Sequence, residues 1–288
     1  NVTIKGLNPG MRSNIDVNGI NDLLGPGGGS KLVARNAEAA IKVETGMKGV
    51  KIMNLMVSGG TEAKNIGIHF VGATDNGMLS NIIGINLHTG VKIEQAKNMQ
   101  IVNCWVCELP NSIELIGGEN IVVKNCQLGA QPTGITCKVQ EVNKLSFINN
   151  QVYPDGRENL VLDACDNCVI EGNNFKSYYN GILVLNGNDN TVNKNIFWLT
   201  GAVQNQLLDH GDDFGIINVK GNNNMVASNS LSCEWAYAGA VTVNAVQGTG
   251  NVFKNCFVDN LESYRVFLVN AQTEVSNCVS SDKVSIVE

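Results

Sequence analysis

The sequence lacks a long apolar run, a basic surface and a helical hydrophobic pattern. No stretch of its 288 residues is apolar for long enough to cross a bilayer, and the first residues do not have the form of a signal peptide. We therefore expect no membrane partner, and the compartment stays open between cytoplasmic and extracellular. The net charge of −6 argues against a nucleic-acid partner, since such proteins present a basic face. After residue 60, no useful stripe at i, i+3, i+4 and i+7 predicts a helix.

Histidine is also rare, and this bears on the role of the 9 cysteines. The pairs Cys104/Cys107 and Cys165/Cys168 each have the CxxC spacing that occurs in zinc sites. Neither pair is accompanied by a second CxxC or by paired histidines at zinc-site spacing, and the chain has only 3 histidines. We therefore predict no metal site, and we interpret the cysteines as small, reduced side chains that pack in a core.

The sequence does contain a repeat of short runs in which apolar and polar residues alternate. Such runs start at residues 67, 90, 112, 134 and 181, at intervals of 23, 22, 22 and 47, and the last interval contains one more run at 159–162. A period in the low twenties is typical of a parallel β-helix and not of a helical solenoid. The sequence therefore predicts an all-β solenoid, a single-stranded parallel β-helix with coils of about 22–25 residues.

A set of asparagines recurs with the same period, and each member follows a short strand-like run. Asparagine tolerates the left-handed conformation that tight corners need, and stacked amides can hydrogen-bond to one another. We interpret all of these asparagines as structural residues at one corner of successive coils. The set consists of Asn103, Asn125, Asn150, Asn173, Asn195, Asn229, Asn255 and Asn277.

We predict one domain, because each coil of a solenoid packs only on its neighbours and such folds grow long without dividing. Residues 1–60 are expected to form irregular strands and the first coils, and residues 61–288 the regular β-helix. The glycine-rich segment at 25–30 lacks the Lys-Ser/Thr pair and the helix of a phosphate-binding loop. We interpret it as a turn.

Two corners of the repeat are longer than the others. Residues 199–213 contain an acidic cluster that includes Asp212 and Asp213, which suits a sugar or calcium, although a solvated cluster that caps turns has the same composition. Residues 233–239 place Trp235 beside Glu234, a pair that suits stacking on carbohydrate or a contact with another subunit. We predict that Asp212, Asp213 and Trp235 contribute to substrate binding.

One outward column of the predicted β-helix carries several ionisable side chains. Successive side chains of a strand point to opposite faces, so the apolar neighbours of Glu114 in sequence direct its carboxylate outward. The repeat aligns His69, Lys92 and Thr136 with Glu114, on rungs roughly 4.8 Å apart. This column is either a polysaccharide site or a solvated face with a weak Lys–Glu pair.

Five stretches of the chain appear in the order known from one enzyme family. They comprise residues 67–82, 100–115, 150–154, 173–181 and 207–224. On these stretches the chain resembles the inulin fructotransferase and difructose-anhydride hydrolase family, from about residue 24 to residue 260. The resemblance implies a right-handed parallel β-helix, a homotrimer whose sites are completed across subunit boundaries, and no cofactor.

The resemblance also implies action on fructan or difructose anhydride, by intramolecular fructosyl transfer or hydrolysis. The family uses an aspartate and, eleven residues later, a glutamate, and the glutamate matches Glu114 as the general acid. Position 103 carries Asn103 in place of the aspartate; an amide binds sugar but cannot act as a base or nucleophile. Glu108 is the nearby carboxylate that would substitute for it.

Two functions of other classes stay open. The first is a non-catalytic carbohydrate-binding relative, which Asn103 favours. The second is a structural β-helix of the phage tailspike type, or a polysaccharide lyase. A lyase would have a basic residue close to a calcium-binding aspartate cluster, and the few arginines do not gather around Glu114 in the repeat; they are Arg12, Arg35, Arg157 and Arg265.

Overall fold

The structure is a computed structural model that describes residues 1–7, 30–34, 37–59, 65–200, 214–233, 241–259, 265–279 and 283–287. Within these ranges the chain forms strands and turns, and none of it is a helix long and apolar enough to cross a membrane. Each strand pairs in parallel with the strand one coil later, as Ile68 does with Val91 and Val91 with Ile113. The predicted all-β, parallel β-helical solenoid is confirmed.

The strands form three faces, each of which is a parallel sheet that runs along the solenoid. The first face contains β1 (Thr3–Lys5), β8 (Gln100–Val102), β13 (Val169–Glu171), β16 (Thr191–Asn193), β19 (Met225–Ala227), β22 (Val252–Lys254) and β25 (Glu274–Ser276). The second face contains β2 (Lys31–Ala34), β11 (Gln151–Val152), β14 (Asn174–Ser177), β17 (Ile196–Leu199), β20 (Ser230–Cys233) and β23 (Phe257–Asp259).

The third face contains β3 (Ala39–Val43), β5 (Ile66–Phe70), β7 (Thr89–Lys97), β12 (Glu158–Asp163), β15 (Leu183–Asn186), β18 (Ile217–Val219), β21 (Val243–Ala245), β24 (Phe267–Asn270) and β26 (Val284–Val287). Four long strands bend around corners and contribute to more than one face. They are β4 (Lys51–Gly59), β6 (Met78–Ile85), β9 (Trp105–Lys124) and β10 (Gln127–Ile148).

The core is a set of apolar columns inside the three faces. Because the side chains of a strand alternate, every second residue points inward and meets the equivalent residue of the next coil. The rings of Phe147, Phe175 and Phe197 stack in this way, with centroids 6.0 Å and 5.0 Å apart. Burial of each such ring stabilises the fold by about 1.5–3 kcal/mol, and the stack also fixes the register between coils.

The asparagines occupy two adjacent positions of the coil, so the prediction of one column is wrong. Asn103, Asn125, Asn255 and Asn277 have φ between 52° and 57°, which is the left-handed conformation of the corner itself. The other four are buried at the position that follows a corner residue; they are Asn150, Asn173, Asn195 and Asn229. Each of the four corner asparagines is followed by a cysteine at the buried position; these cysteines are Cys104, Cys126, Cys256 and Cys278.

The four buried asparagines form a ladder of hydrogen bonds along the solenoid. The side chain of Asn173 donates to the carbonyl of Phe147 at 2.8 Å and to Oδ1 of Asn195 at 2.9 Å. Its own Oδ1 accepts from the backbone N–H of Asn150 at 2.8 Å. Each amide thereby satisfies backbone groups that the turn leaves without a partner in the sheet, which is why a polar residue is tolerated inside the core.

The prediction that the cysteines pack in the core is confirmed for the two CxxC pairs. Cys104, Cys107, Cys165 and Cys168 are all buried, with free thiols. Burial raises the pKa of the Cys165 thiol to about 11 and that of the Cys168 thiol to about 12. Both groups are therefore protonated at neutral pH and poor nucleophiles.

The predicted boundary at residue 60, between the irregular first coils and the regular β-helix, stays a prediction.

We predict that Asn173→Ala destabilises the protein by about 3 kcal/mol, because the Phe147 carbonyl and the Asn150 N–H both lose their buried partner. Urea denaturation followed by circular dichroism measures this change. The control is Asn193→Ala, which removes an amide from the outward side of β16 in the same coil and is expected to change stability by less than about 0.5 kcal/mol. Equal losses in the two variants would contradict a specific role of the ladder.

Candidate functional site

The third face carries a column of ionisable side chains on its outer surface. The pairing register aligns Lys42 with His69, His69 with Lys92, Lys92 with Glu114, and Glu114 with Lys138. We call these five residues the charged column. The predicted alignment of His69, Lys92 and Glu114 is therefore confirmed. The neighbours of Glu114 in β9, Ile113 and Leu115, are each 1% exposed and point into the core.

Thr136 does not belong to the charged column, and that part of the predicted alignment is wrong. The pairing is irregular between Ala130 and Ile135, where the corner of β10 has more residues than the corresponding corner of β9. The register consequently moves by two residues and brings Lys138 beside Glu114. Thr136 is fully buried, and its hydroxyl accepts a hydrogen bond from the N–H of Ala130 at 3.2 Å. Its role in the structure is to hold this corner.

Glu114 lies half-buried between two lysine rungs. The hydroxyl of Thr89, on the preceding coil, donates to its Oε1 at 3.4 Å. No described lysine, arginine or histidine lies within 4.0 Å of its carboxylate. The ammonium of Lys92 is instead held by Glu94, the next outward residue of β7, at 2.9 Å. Glu114 is thus an outward carboxylate that has a hydroxyl donor and is not neutralised by a direct ion pair.

His69 is the covered member of the charged column, and two glutamates lie beside its ring. The Nε2 atom of His69 is 3.4 Å from Oε1 of Glu94, and its Nδ1 atom is 3.8 Å from Oε1 of Glu38. The residue is 5% exposed, so its ring lies beneath these neighbours and not on the open surface that the sequence suggested. The hydrogen bond from Lys92 lowers the pKa of Glu94, and His69 contributes in the same direction.

Asn103 and Glu108 lie at corners of the coil that contains Glu114, away from the charged column. Asn103 is exposed between the first and second faces, and its N–H donates to the carbonyl of Lys124 at 3.1 Å. Glu108 is exposed between the second and third faces and has a φ of 63°, a conformation that costs a non-glycine residue about 1–2 kcal/mol. The three candidate catalytic residues therefore do not share one face.

Three of the candidate binding residues, Asp212, Asp213 and Trp235, lie outside the described residues. Within the part of the chain that the structure describes, no group of three His, Cys, Asp or Glu side chains is arranged to hold a metal ion. Sequence reasoning missed Lys42 and Lys138 as members of the charged column, and Glu94 and Glu38 as its neighbours. Glu94 follows Lys92 by two positions in one strand, so the alternation of β7 contained the signal for it.

Two family models match long parts of the chain. The model described as "Right handed beta helix region" matches residues 133–286, and that of the "Periplasmic copper-binding protein (NosD)" matches residues 31–197. No protein among the curated sequences matches the chain. The first match establishes the hand of the solenoid that the strand pairing outlines.

Solved structures with the same fold cover nearly the whole chain. DFA-IIIase from Arthrobacter chlorophenolicus A6 without its lid has a TM-score of 0.80 and 21% identity, over 99% of this chain and 80% of that one. The same enzyme in complex with GF2 has a TM-score of 0.78 and 21% identity, over 100% and 82% of the two chains. The Dettilon tailspike protein (gp208) has a TM-score of 0.52 and 15% identity, over 88% and 60%. The resemblance expected from the sequence is confirmed for the fold.

The Lys92–Glu94 pair predicts a pH dependence of stability. Because the pKa of Glu94 is lower in the folded protein than in the unfolded chain, its contribution is present above the ordinary carboxyl pKa. This contribution is lost as the pH falls below about 4 and through the lowered pKa. We predict that Glu94→Gln is less stable than wild type at pH 7 and that the two converge towards pH 3, as measured by urea denaturation at both values.

Glu44→Gln is the matched control for that comparison. Glu44 is also an acidic residue that pairs with a lysine of the charged column, Lys42 at 3.5 Å, but its side chain is 66% exposed. Its replacement is expected to leave the difference in stability between pH 7 and pH 3 close to that of wild type. A Glu94→Gln protein with the same pH dependence as wild type would show that this ion pair does not stabilise the fold.

Proposed function

Given that this chain belongs to the right-handed β-helix family, we propose that it is a carbohydrate-active enzyme that acts on fructan or on a difructose anhydride. The reaction is intramolecular fructosyl transfer or hydrolysis, and Glu114 is the general acid. One observation carries this proposal. The outward carboxylate at the position that matches the family's glutamate lies in the charged column of a fold that DFA-IIIase shares over nearly the whole chain.

The chemistry assigned to Glu114 is protonation of the glycosidic oxygen. As the bond to the anomeric carbon of a fructosyl unit breaks, positive charge develops on that unit and the leaving oxygen takes the proton. A hydroxyl of the neighbouring fructose then attacks the anomeric carbon and closes a cyclic difructose. In the hydrolytic reaction water attacks instead, and in both cases the nucleophile loses one proton to a base.

Lys92 and Lys138 support this role, because they place ammonium groups on the rungs on either side of Glu114. Ammonium groups donate hydrogen bonds to sugar hydroxyls and would hold the substrate against the third face. His69 lies beneath the lysines and contacts Glu94, the carboxylate that holds Lys92. In this proposal Asp212, Asp213 and Trp235 contact the sugar from the two long corners.

The base is the group that this sequence does not provide at the family's position. Asn103 cannot accept the proton. Because it lies away from the charged column, we assign it a hydrogen bond to a sugar that is bound across a subunit boundary. Glu108 is the substitute in the same coil, at a corner next to the third face. In a homotrimer, which the family resemblance implies, a neighbouring subunit would supply the surroundings of this group.

A second candidate function is that of a non-catalytic carbohydrate-binding relative. The observation that favours it is Asn103 itself, since an amide at this position preserves sugar binding and removes the base. The candidate predicts binding of fructan without turnover. Product formation is the measurement that distinguishes this binding function from the proposed enzymatic function.

We predict that the purified protein converts inulin or a difructose anhydride, and that Glu114→Gln lowers the rate by at least about a hundredfold. Glutamine retains the size of the side chain and cannot donate a carboxylic proton. Chromatography of the products after incubation with inulin, levan and difructose anhydrides measures the change. Lys138→Met, on the adjacent rung, keeps Glu114 and is expected to impair substrate binding more than the chemical step.

A wild-type protein that binds these sugars and yields no product would contradict the enzymatic assignment. In that case Asn103→Asp becomes the decisive variant. We predict that it gives detectable turnover of fructan where the parent protein gives none, since it restores the carboxylate that the family places eleven residues before Glu114. Asn125→Asp is the matched control, because it makes the same change at the equivalent corner one coil later. Absence of turnover in every variant would leave the binding function.

A further inference from the structure

The outer surface of the second face changes in composition along the solenoid. Its first rungs are apolar and buried, with Met56, Ile83 and Trp105 in a small cluster of their own outside the main core. In the next coils the column of Trp105 continues as Gln127, Gln151 and Asn174. The change from buried apolar residues to half-exposed amides within one column indicates that the later rungs are built for a different contact.

Aromatic side chains stand beside these amides. Tyr153 follows β11 and its hydroxyl donates to Oε1 of Gln127 at 3.4 Å. One rung beyond Lys176 lies Trp198, and the ammonium of Lys176 is 4.8 Å from the centre of the indole ring. This cation–π contact fixes the indole from one side. On the other side the next rung carries Ser232, a small side chain that leaves the half-exposed ring accessible.

The amides of this surface have hydrogen-bonding capacity that the described protein does not use. Oδ1 of Asn174 is buried and has no hydrogen-bond partner. The side chain of Gln151 makes no hydrogen bond to another described residue. A buried carbonyl oxygen without a partner costs about 1–3 kcal/mol, so a ligand that donates to it gains affinity by that route.

We propose that this surface is a second carbohydrate-binding site, for a neutral oligosaccharide, separate from the charged column. We call it the amide–aromatic row and define it as Gln127, Gln151, Tyr153, Asn174, Lys176 and Trp198. The row extends over four rungs, about 14 Å, which suits a short oligosaccharide and not a single sugar. Amides donate to and accept from sugar hydroxyls, while the indole packs on the apolar face of a sugar ring.

The charge of the row favours a neutral ligand. Lys176 is its single ionisable cation, and the indole of Trp198 already contacts that cation. A polyanionic glycan would need several cations. The centre of the row consists of adjacent amides, whereas an interface between subunits has an apolar centre; the exposed Ile196 lies at the end of the row, on the rung of Trp198. The row lies on the second face and Glu114 on the third. In this proposal the row therefore anchors the oligosaccharide and takes no part in bond cleavage.

The test uses Glu114→Gln as the parent protein, so that the sugar is bound and not converted. The probe is an inulin-type oligosaccharide of about five sugar units, a choice that rests on the proposed function. We expect calorimetric titration to show binding that Trp198→Ala and Asn174→Ala each weaken about tenfold, in line with the loss of one aromatic contact or one buried hydrogen bond. Trp198→Phe keeps a ring and is expected to retain most of the affinity.

Phe257→Ala and Asn193→Ala are the matched controls. Phe257 is an exposed aromatic of the same face beyond the row, and Asn193 is an outward amide of the first face, so neither change is expected to alter the affinity. Thermal unfolding verifies that every variant is folded. Polygalacturonate, an acidic polymer, is expected not to compete with the probe.

Three results would overturn the proposal. They are no binding by the parent protein, unchanged affinity in both Trp198→Ala and Asn174→Ala, or a change in the mass of these variants in analytical ultracentrifugation. The last result would identify the row as a contact between copies of this chain. Failure of the proposed function gives a different pattern: wild-type protein that forms no product and still binds the probe through the row.

Discussion

Parallel pairing in register, from one coil to the next, is the constraint on which the rest of this structure depends. It places each residue roughly 4.8 Å from the residue at the same position of the adjacent coil. A side chain therefore fits only if it can pack or hydrogen-bond with those two neighbours. Apolar residues meet this condition by simple packing, as in the phenylalanine stack. A buried polar residue needs a hydrogen-bond partner at its own rung or in its own column, and the four buried asparagines find theirs partly in one another.

The same constraint shapes the charged column. Lys42, His69 and Lys92 occupy consecutive rungs, which places an imidazole between two ammonium groups. Glu94 contacts both Lys92 and His69, and the hydrogen bond from Lys92 is the main reason why its pKa is lowered. With Glu94 engaged by Lys92, Glu114 on the next rung is left with a hydroxyl donor and free carboxylate capacity. The proposed acid is therefore a consequence of how its neighbours pair.

The coils differ from one another in length and in composition. The irregular corner of β10 moves Lys138 beside Glu114, while the second face changes from apolar residues to the amide–aromatic row within a regular register. A solenoid tolerates such changes because each coil contacts only its neighbours, so a rung can be altered without disturbing distant ones. The proposed sites accordingly lie on outward columns and corners that the core does not constrain.

The sequence by itself determined the class of fold, since the period in the low twenties and the alternation within each run are direct consequences of strand geometry. It also determined that Glu114 points outward, and that His69 and Lys92 share its column. Only the tertiary structure decided that Thr136 is buried and Lys138 takes its place, because an unequal number of corner residues shifts the register without any change in local pattern. Only the tertiary structure shows which asparagines lie at corners and which form the buried ladder, and that neighbouring side chains cover His69. These features depend on contacts between coils, and the sequence of a single strand does not contain that information.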